Sequence, residues 1–180
     1  TDEQKEQFLY PVIRGEKTSC FLQTEPEGGG DPGGMRTTAV RDGDHYIVNG
    51  HKRFITGAGT ADFGQVVTAT DREKGSRGGL TVFLIDMNTP GITKLRQQDM
   101  MIADRPWEIL FEDVRIPVSQ RVGEEGVRGV VPRDHHPRDA ILYAILYAIL
   151  YAPSSTGCAG PGAGTAPPCP PPGRAARGGG

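Results

Sequence analysis

Residues 36–56 read RTTAVRDGDHYIVNGHKRFIT. Three runs rich in β-branched and aromatic residues, RTTAV (36–40), HYIVN (45–49) and KRFIT (52–56), are separated by Asp42-Gly43 and Asn49-Gly50. Both dipeptides favour the positive φ that tight hairpin turns demand, so the stretch predicts a meander with a turn at each. Working outward, CFLQT (20–24) precedes it as a short strand. FGQVVTAT (63–70), LTVFLIDM (80–87), ITKLRQQ (92–98) and EILFEDVRI (108–116) follow it. Turn residues at 73–79, 89–91 and 105–106 punctuate the runs. Short strands at this spacing predict a mainly β fold, an antiparallel barrel or sandwich. No helix of crossover length separates them, which argues against parallel pairing.

Upstream, TDEQKEQFLY (1–10) predicts a short helix. Thr1 and Gln4 stand at capping-box spacing, and Asp2 and Glu3 suit the positive end of the helix dipole. Pro11 limits the helix and Gly15 ends the segment. Downstream, VRGVVPRDHHPRD (127–139) shows no period, and residues 141–152 are ILYA three times over, with no polar face for water. Residues 153–180 hold 15 of the 41 glycines and prolines, with no acid, no aromatic and no aliphatic larger than Ala. Such a stretch buries too little surface to offset its ordering entropy, so the tail is expected to be disordered. Its composition is that of GC-rich DNA read in a wrong frame, which predicts a departure from the native frame near residue 127.

The 180 residues allow one domain or one and a half. The net charge of −2 gives no overall field to attract nucleic acid or an anionic membrane surface. No apolar run approaches the 18 residues of a membrane span. Cys158 and Cys169 lie in the tail, which leaves Cys20 alone in the folded part. A lone cysteine fits a reducing compartment and a cytoplasmic location. The chain starts at Thr1 rather than Met, as a fragment or a processed chain would.

Two constellations carry chemistry. The loop TEPEGGGDPGGM (24–35) contains Gly28, Gly30 and Gly33 at G-x-G-x-x-G spacing after a strand. Pro32 inside the motif and a strand rather than a helix after it exclude a Rossmann phosphate loop, and no Gly-Lys-Ser/Thr makes a Walker loop. Two readings fit: a flexible surface loop, or backbone N–H groups that approach a phosphate or flavin edge where a Cβ would hinder. The second constellation is Phe54-Ile55-Thr56-Gly57. Alternation puts Phe54 and Thr56 on one face and Ile55 on the other. That pairing suits either core packing with a strand-end threonine or a flat heteroaromatic ligand, packed by the ring and bonded at its edge by the hydroxyl. His135 and His136 beside Asp134 and Asp139 lack a second pair at metal spacing, so no metal site is expected.

These residues, in order, resemble the middle β domain of the acyl-CoA dehydrogenase family. The family pattern T-E-P-x-x-G-S-D stands here as Thr24-Glu25-Pro26-Glu27-Gly28-Gly29-Gly30-Asp31. N-G-x-K-x-W-I-T stands as Asn49-Gly50-His51-Lys52-Arg53-Phe54-Ile55-Thr56. F-E-D-V-x-V-P stands as Phe111-Glu112-Asp113-Val114-Arg115-Ile116-Pro117. The resemblance covers about residues 2–126. It implies the end of an N-terminal helical domain over 1–17, a flavin- and acyl-CoA-binding β-barrel-like domain over 18–126, and a low-complexity or frame-shifted tail over 127–180. It implies FAD as cofactor, an acyl-CoA thioester as substrate, an electron-transferring flavoprotein as electron acceptor, and a homo-oligomer for the full-length protein.

Carried over by motif position, Phe21, Gln23, Thr24, Gly29, Gly30, Phe54, Ile55 and Thr56 are the FAD-binding residues. Thr24 is expected to bond the pyrimidine edge and the Thr56 hydroxyl to bond flavin N5. Phe54 takes the place of the tryptophan beside the flavin. Gly30 replaces the serine that contacts phosphate and the acyl-CoA chain, so only its backbone N–H remains for either. The family's general base is a glutamate of the C-terminal helical domain. Glu112, Glu124 and Glu125 sit in β-domain motifs instead, so the expectation is that this chain lacks the base.

Overall fold

The computed structural model describes residues 1–29, 32–101 and 105–127. The expectations for the ILYA repeats, the His135-His136 pair and the glycine- and proline-rich tail lie outside the described residues. The chain opens on a continuous helix in three segments: α1 (Asp2–Gln4), a π-helical segment (Lys5–Leu9) and α2 (Tyr10–Ile13). The Thr1/Gln4 capping box forms as its spacing predicts. The helix does not stop at Pro11. The wider π-helical turn immediately precedes it, where an i→i−4 ladder would otherwise meet the missing N–H and the ring. Gly15, at φ +70, ends the helical segment.

Eight strands follow: β1 (Ser19–Leu22), β2 (Thr38–Asp42), β3 (His45–Ile55), β4 (Phe63–Ala69), β5 (Leu80–Asp86), β6 (Ile92–Gln97), β7 (Trp107–Pro117) and β8 (Arg121–Val127). They form one sheet in the order β6-β7-β3-β2-β4-β5-β8, with β1 on β4. The fold is mainly β and mostly antiparallel, as expected, and the sheet curls without closing into a barrel. Two details correct the sequence reading. First, β1 pairs with β4 in parallel, from Ser19↔Phe63 to Leu22↔Val66, and β2 touches β4 in parallel at Thr38↔Ala69. The crossover between β1 and β4 is made by the β2–β3 hairpin rather than by a helix.

Second, only one of the two hairpin signals makes a turn. The first does: β2 and β3 pair from Thr38↔Asn49 to Asp42↔His45, with Gly43 at φ +63 in the loop. At Asn49-Gly50 the chain runs straight on as an eleven-residue strand. Gly50 sits at a register shift against β7, and a Cβ there would lie 2.3 Å from Thr37 Oγ1. The glycine serves a close approach, not a turn. β8 was not expected, because glycines and the Glu124-Glu125 pair hide any alternation. It pairs antiparallel with β5, and Gly123 and Gly126, at φ +71 and +73, take the backbone conformations that its bends require.

The main core lies between the halves of the curled sheet. Cys20 and Leu22 (β1), Tyr46, Val48 and Ile55 (β3), Val66 (β4), Phe83 and Ile85 (β5), and Ile109, Phe111, Val114 and Ile116 (β7) fill it. Tyr46 and Phe83 meet at 4.7 Å between ring centroids, tilted 55° to each other. The helix covers the outer face of β4 and β5 through Phe8 and Leu9 on Phe63 and Leu84, with Phe8 edge-on to Phe63. Gln4 fixes its other end by donating to the Ser119 and Arg121 carbonyls. No helix of the described residues is long and apolar enough to cross a membrane.

Candidate functional site

The two constellations singled out in the sequence meet at the end of β3. Arg53 N donates to the Thr24 carbonyl at 2.8 Å, and Lys52 Nζ donates to the Gln23 carbonyl at 3.1 Å. Consecutive residues of β3 thus hold the segment that leaves β1, with Thr24 bonded to the residue before Phe54. Phe21, Gln23 and Thr24 are half-buried, and Gly29 is exposed. Gly30 lies outside the described residues.

The end of β3 breaks the regular alternation. A register shift between Lys52 and Ile55 leaves two residues between successive inward side chains. Lys52 points in, Phe54 is 46% exposed, and Ile55 returns to the core at 2%. Thr56 is exposed in the turn that follows. Phe54 and Thr56 are both exposed, and Phe54 owes this to the register shift, since strict alternation would have put it on the same face as the buried Lys52. Phe54 adopts φ +60, a conformation that a bulky side chain takes only under constraint. The constraint comes from both sides: Lys52 is tied down and Ile55 is locked in the core. The Arg53 guanidinium lies 4.8 Å over the Phe54 ring. Ile55 can offer a ligand only its backbone, since its side chain is buried.

The glycine-rich loop is closed at its neck by a carboxylate. Glu25 accepts from Arg36 N at 2.6 Å and from Thr37 N at 2.9 Å, so it joins the start of the loop to its end. The same carboxylate pairs with Lys52 Nζ at 2.9 Å. The side chains are 0% and 4% exposed. Burial pushes the Lys52 ammonium down to about 8, against the pull of Glu25. Burial alone would raise Glu25, but Lys52 and the donors at Thr37 and Arg36 outweigh it and hold the carboxyl below the usual range. Both residues stand inside the quoted motifs, yet the sequence reading gave neither a role. In the run His51-Lys52-Arg53 nothing marks the middle residue as buried.

A second carboxylate, Glu108, sits on the other side of the β3 end. Arg96 grips it with two hydrogen bonds of 2.8 and 3.0 Å, Gln98 donates at 2.7 Å, and Arg53 Nε lies at 3.1 Å. The Arg96 hydrogen bonds, with Arg53 and His51 nearby, hold its carboxyl below the usual range against the cost of burial. Cys20 is buried and its thiol is pushed up to about 12, so it is not a nucleophile.

Among the described residues the site is an open edge. The depression lined by Gln23, Glu25, Gly28, Gly29, Pro32 and Met35 encloses about 10 Å³, room for one water. A Cβ at Gly28, Gly29 or Gly34 would meet nothing within 4 Å. Packing within the described residues therefore does not require glycine at these positions, and the backbone there is open to an approaching group. The residues fit one wall of a flat cofactor site: open glycine backbone, an outward aromatic, and a threonine at the turn.

Comparison with known proteins gives this wall its family. The family model for the acyl-CoA dehydrogenase middle domain matches residues 20–114, more than half of the chain. The short-chain specific acyl-CoA dehydrogenase of Clostridium acetobutylicum is 41% identical over 128 residues, which cover 70% of this chain and 34% of the relative. The CarC subunit of the caffeyl-CoA reductase–Etf complex of Acetobacterium woodii is 41% identical over 126 residues, 69% of this chain and 33% of the relative. The solved structure of butyryl-CoA dehydrogenase from Megasphaera elsdenii superposes with a TM-score of 0.67 at 40% identity, over 70% of this chain and 33% of that one. The chain spans about a third of the length of these relatives. On its matched motifs, its strand arrangement and these likenesses, the chain belongs to the acyl-CoA dehydrogenase family, through that family's middle domain.

Proposed function

We propose that this chain supplies the β wall of an FAD site for α,β-dehydrogenation of an acyl-CoA thioester. The observation that carries the reading is the pairing of two motif segments: Lys52 and Arg53 hold Gln23 and Thr24, and this sets both segments at one open edge. When bound, FAD supplies the acceptor for the hydride that leaves the β carbon. In this reading Thr24 bonds the pyrimidine edge, and the Thr56 hydroxyl donates toward flavin N5. Phe54 covers the ring system and keeps water from it. Ile55 contributes its main chain. Phe21 and Gln23 line the ring system from β1, and the backbone N–H groups of Gly29 and Gly30 meet phosphate. By motif position Gly30 is also proposed to contact the acyl-CoA chain.

The described carboxylates at this edge are committed elsewhere: Glu25 to Lys52, Arg36 and Thr37, and Glu108 to its arginines. Our reading therefore puts the general base outside the β domain. In this reading the β domain binds flavin and does not itself supply the base. An electron-transferring flavoprotein is the proposed electron acceptor, in keeping with the Etf complex named for the Acetobacterium woodii relative. A homo-oligomer of the complete protein and a cytoplasmic location belong to the same proposal. The domain limits proposed are a helical end over 1–17, the β domain over 18–126 and the tail beyond.

A visible absorption spectrum tests the reading. The purified chain is mixed with excess FAD and passed through a desalting column. Retained flavin bands are expected, with no bleaching at catalytic rates when butyryl-CoA is added. A colourless protein would overturn the flavin site, and rapid bleaching would overturn the placement of the base.

A further inference from the structure

We propose that the buried Lys52–Glu25 ion pair is the positioning device of the flavin edge, a clasp that fixes the glycine-rich loop and the Gln23–Glu25 segment against the end of β3. The inference rests on the FAD reading above and adds a role for two residues that do not touch the cofactor. The geometry is specific. One ammonium donates to the Gln23 carbonyl and the Glu25 carboxylate, and that carboxylate accepts the backbone N–H groups of Arg36 and Thr37. Four hydrogen bonds thus tie together three pieces of chain: the exit from β1, the return from the glycine loop, and β3 two residues before Phe54. Thr37 reaches the clasp only because Gly50 lacks a Cβ, since one would stand 2.3 Å from its Oγ1 and 2.6 Å from its Cα.

Stability does not explain this choice of residues. Two ions in a site of almost no exposure lose their hydration, and apolar replacements of such pairs are often neutral or stabilising. What an apolar pair lacks is direction. Glu25 needs both oxygens to hold the two ends of the loop at once, and Lys52 needs its charge to hold Glu25 and the Gln23 carbonyl together. An apolar pair would fill the volume and leave the loop free to take several positions over the flavin edge.

The test compares the unmodified chain with Glu25→Gln and with the double variant K52M/E25Q, which removes both buried charges and guards against simple unfolding. Thermal melts establish that each variant folds cooperatively. FAD is the probe. The double variant is expected to bind FAD at least about tenfold more weakly. At saturating FAD its visible circular dichroism is expected to differ from that of the unmodified chain, a change that loss of stability alone would not cause. Unchanged affinity and unchanged dichroism overturn the positioning role. If the unmodified chain takes up no FAD, the proposed function falls, and hydrogen exchange decides the clasp by itself. In Glu25→Gln the amides of Arg36, Thr37 or both are then expected to exchange at least about tenfold faster, with β4 and β5 unchanged. Exchange as slow as in the unmodified chain overturns the clasp.

Discussion

β4 and the last part of β3 are both short runs of mixed apolar and polar residues, and the fold uses them in opposite ways. β4, Phe63–Ala69, is buried at every position and pairs with β5 in seven consecutive partners. β3 shifts register twice against β7 between Val48 and Ile55. A strand flanked on both sides and covered on both faces cannot re-aim a side chain. The bulged end of β3 buries a lysine and turns a phenylalanine outward within three residues. The difference teaches that the regular half of the sheet supplies stability and the irregular half supplies the site.

Substitutions in the two regions can break or sharpen that contrast. The largest effect is expected in the regular half. Phe83→Ala removes a fully buried ring from its tilted contact with Tyr46 and should cost about 3–5 kcal/mol, read as a lower midpoint in urea. A loss below about 1 kcal/mol would show that β5 is not the stabilising side. Gly50→Ala should cost less, about 1–3 kcal/mol, because the new methyl displaces Thr37 and bends the strand already bulged there. The same variant should weaken FAD binding, which Phe83→Ala should not do where it still folds.

A smaller effect is expected in acid. The folded Glu25 carboxyl titrates below its ordinary value of 4.5. Its contribution is therefore complete above about pH 4.5 and is lost as pH falls through the folded value. Melting temperature should drop across that window, and Glu25→Gln should flatten the drop. An identical slope in the variant would mean that other carboxylates, Glu108 first, carry the acid sensitivity. The smallest effect belongs to Phe54. Phe54→Asn trades an exposed ring for a residue that tolerates positive φ. Stability should change by no more than about 1 kcal/mol, while flavin affinity falls. A large loss of stability would make Phe54 a core residue in disguise.

Much of this was legible in the residues. The strand runs, the Asp42-Gly43 turn and the Thr1/Gln4 capping box stand where their local chemistry put them, because each depends on neighbours in sequence. The exposure of Phe54 was not legible, because the register shift against β7 after Lys52 overrides the alternation that local pattern implies. The Asn49-Gly50 signal misled, since a glycine can serve a turn or a close approach with the same local preference. Thr37, thirteen residues away, decides between them. The clasp was illegible because burial of Lys52 is a property of what surrounds it.

The sequence by itself determined the class of fold, the rough place of each strand from β1 to β7 and the family to which the motifs belong. The first two follow from side-chain period and turn chemistry, which are local, and the family from the resemblance of three motifs in order. Only the tertiary structure decided that β1 lies parallel to β4, that β8 closes the edge of β5 and that Glu25 and Lys52 meet in the interior. Each of these joins residues far apart in the chain, and the free energy that selects them comes from burial and pairing across the sheet, which no local pattern records.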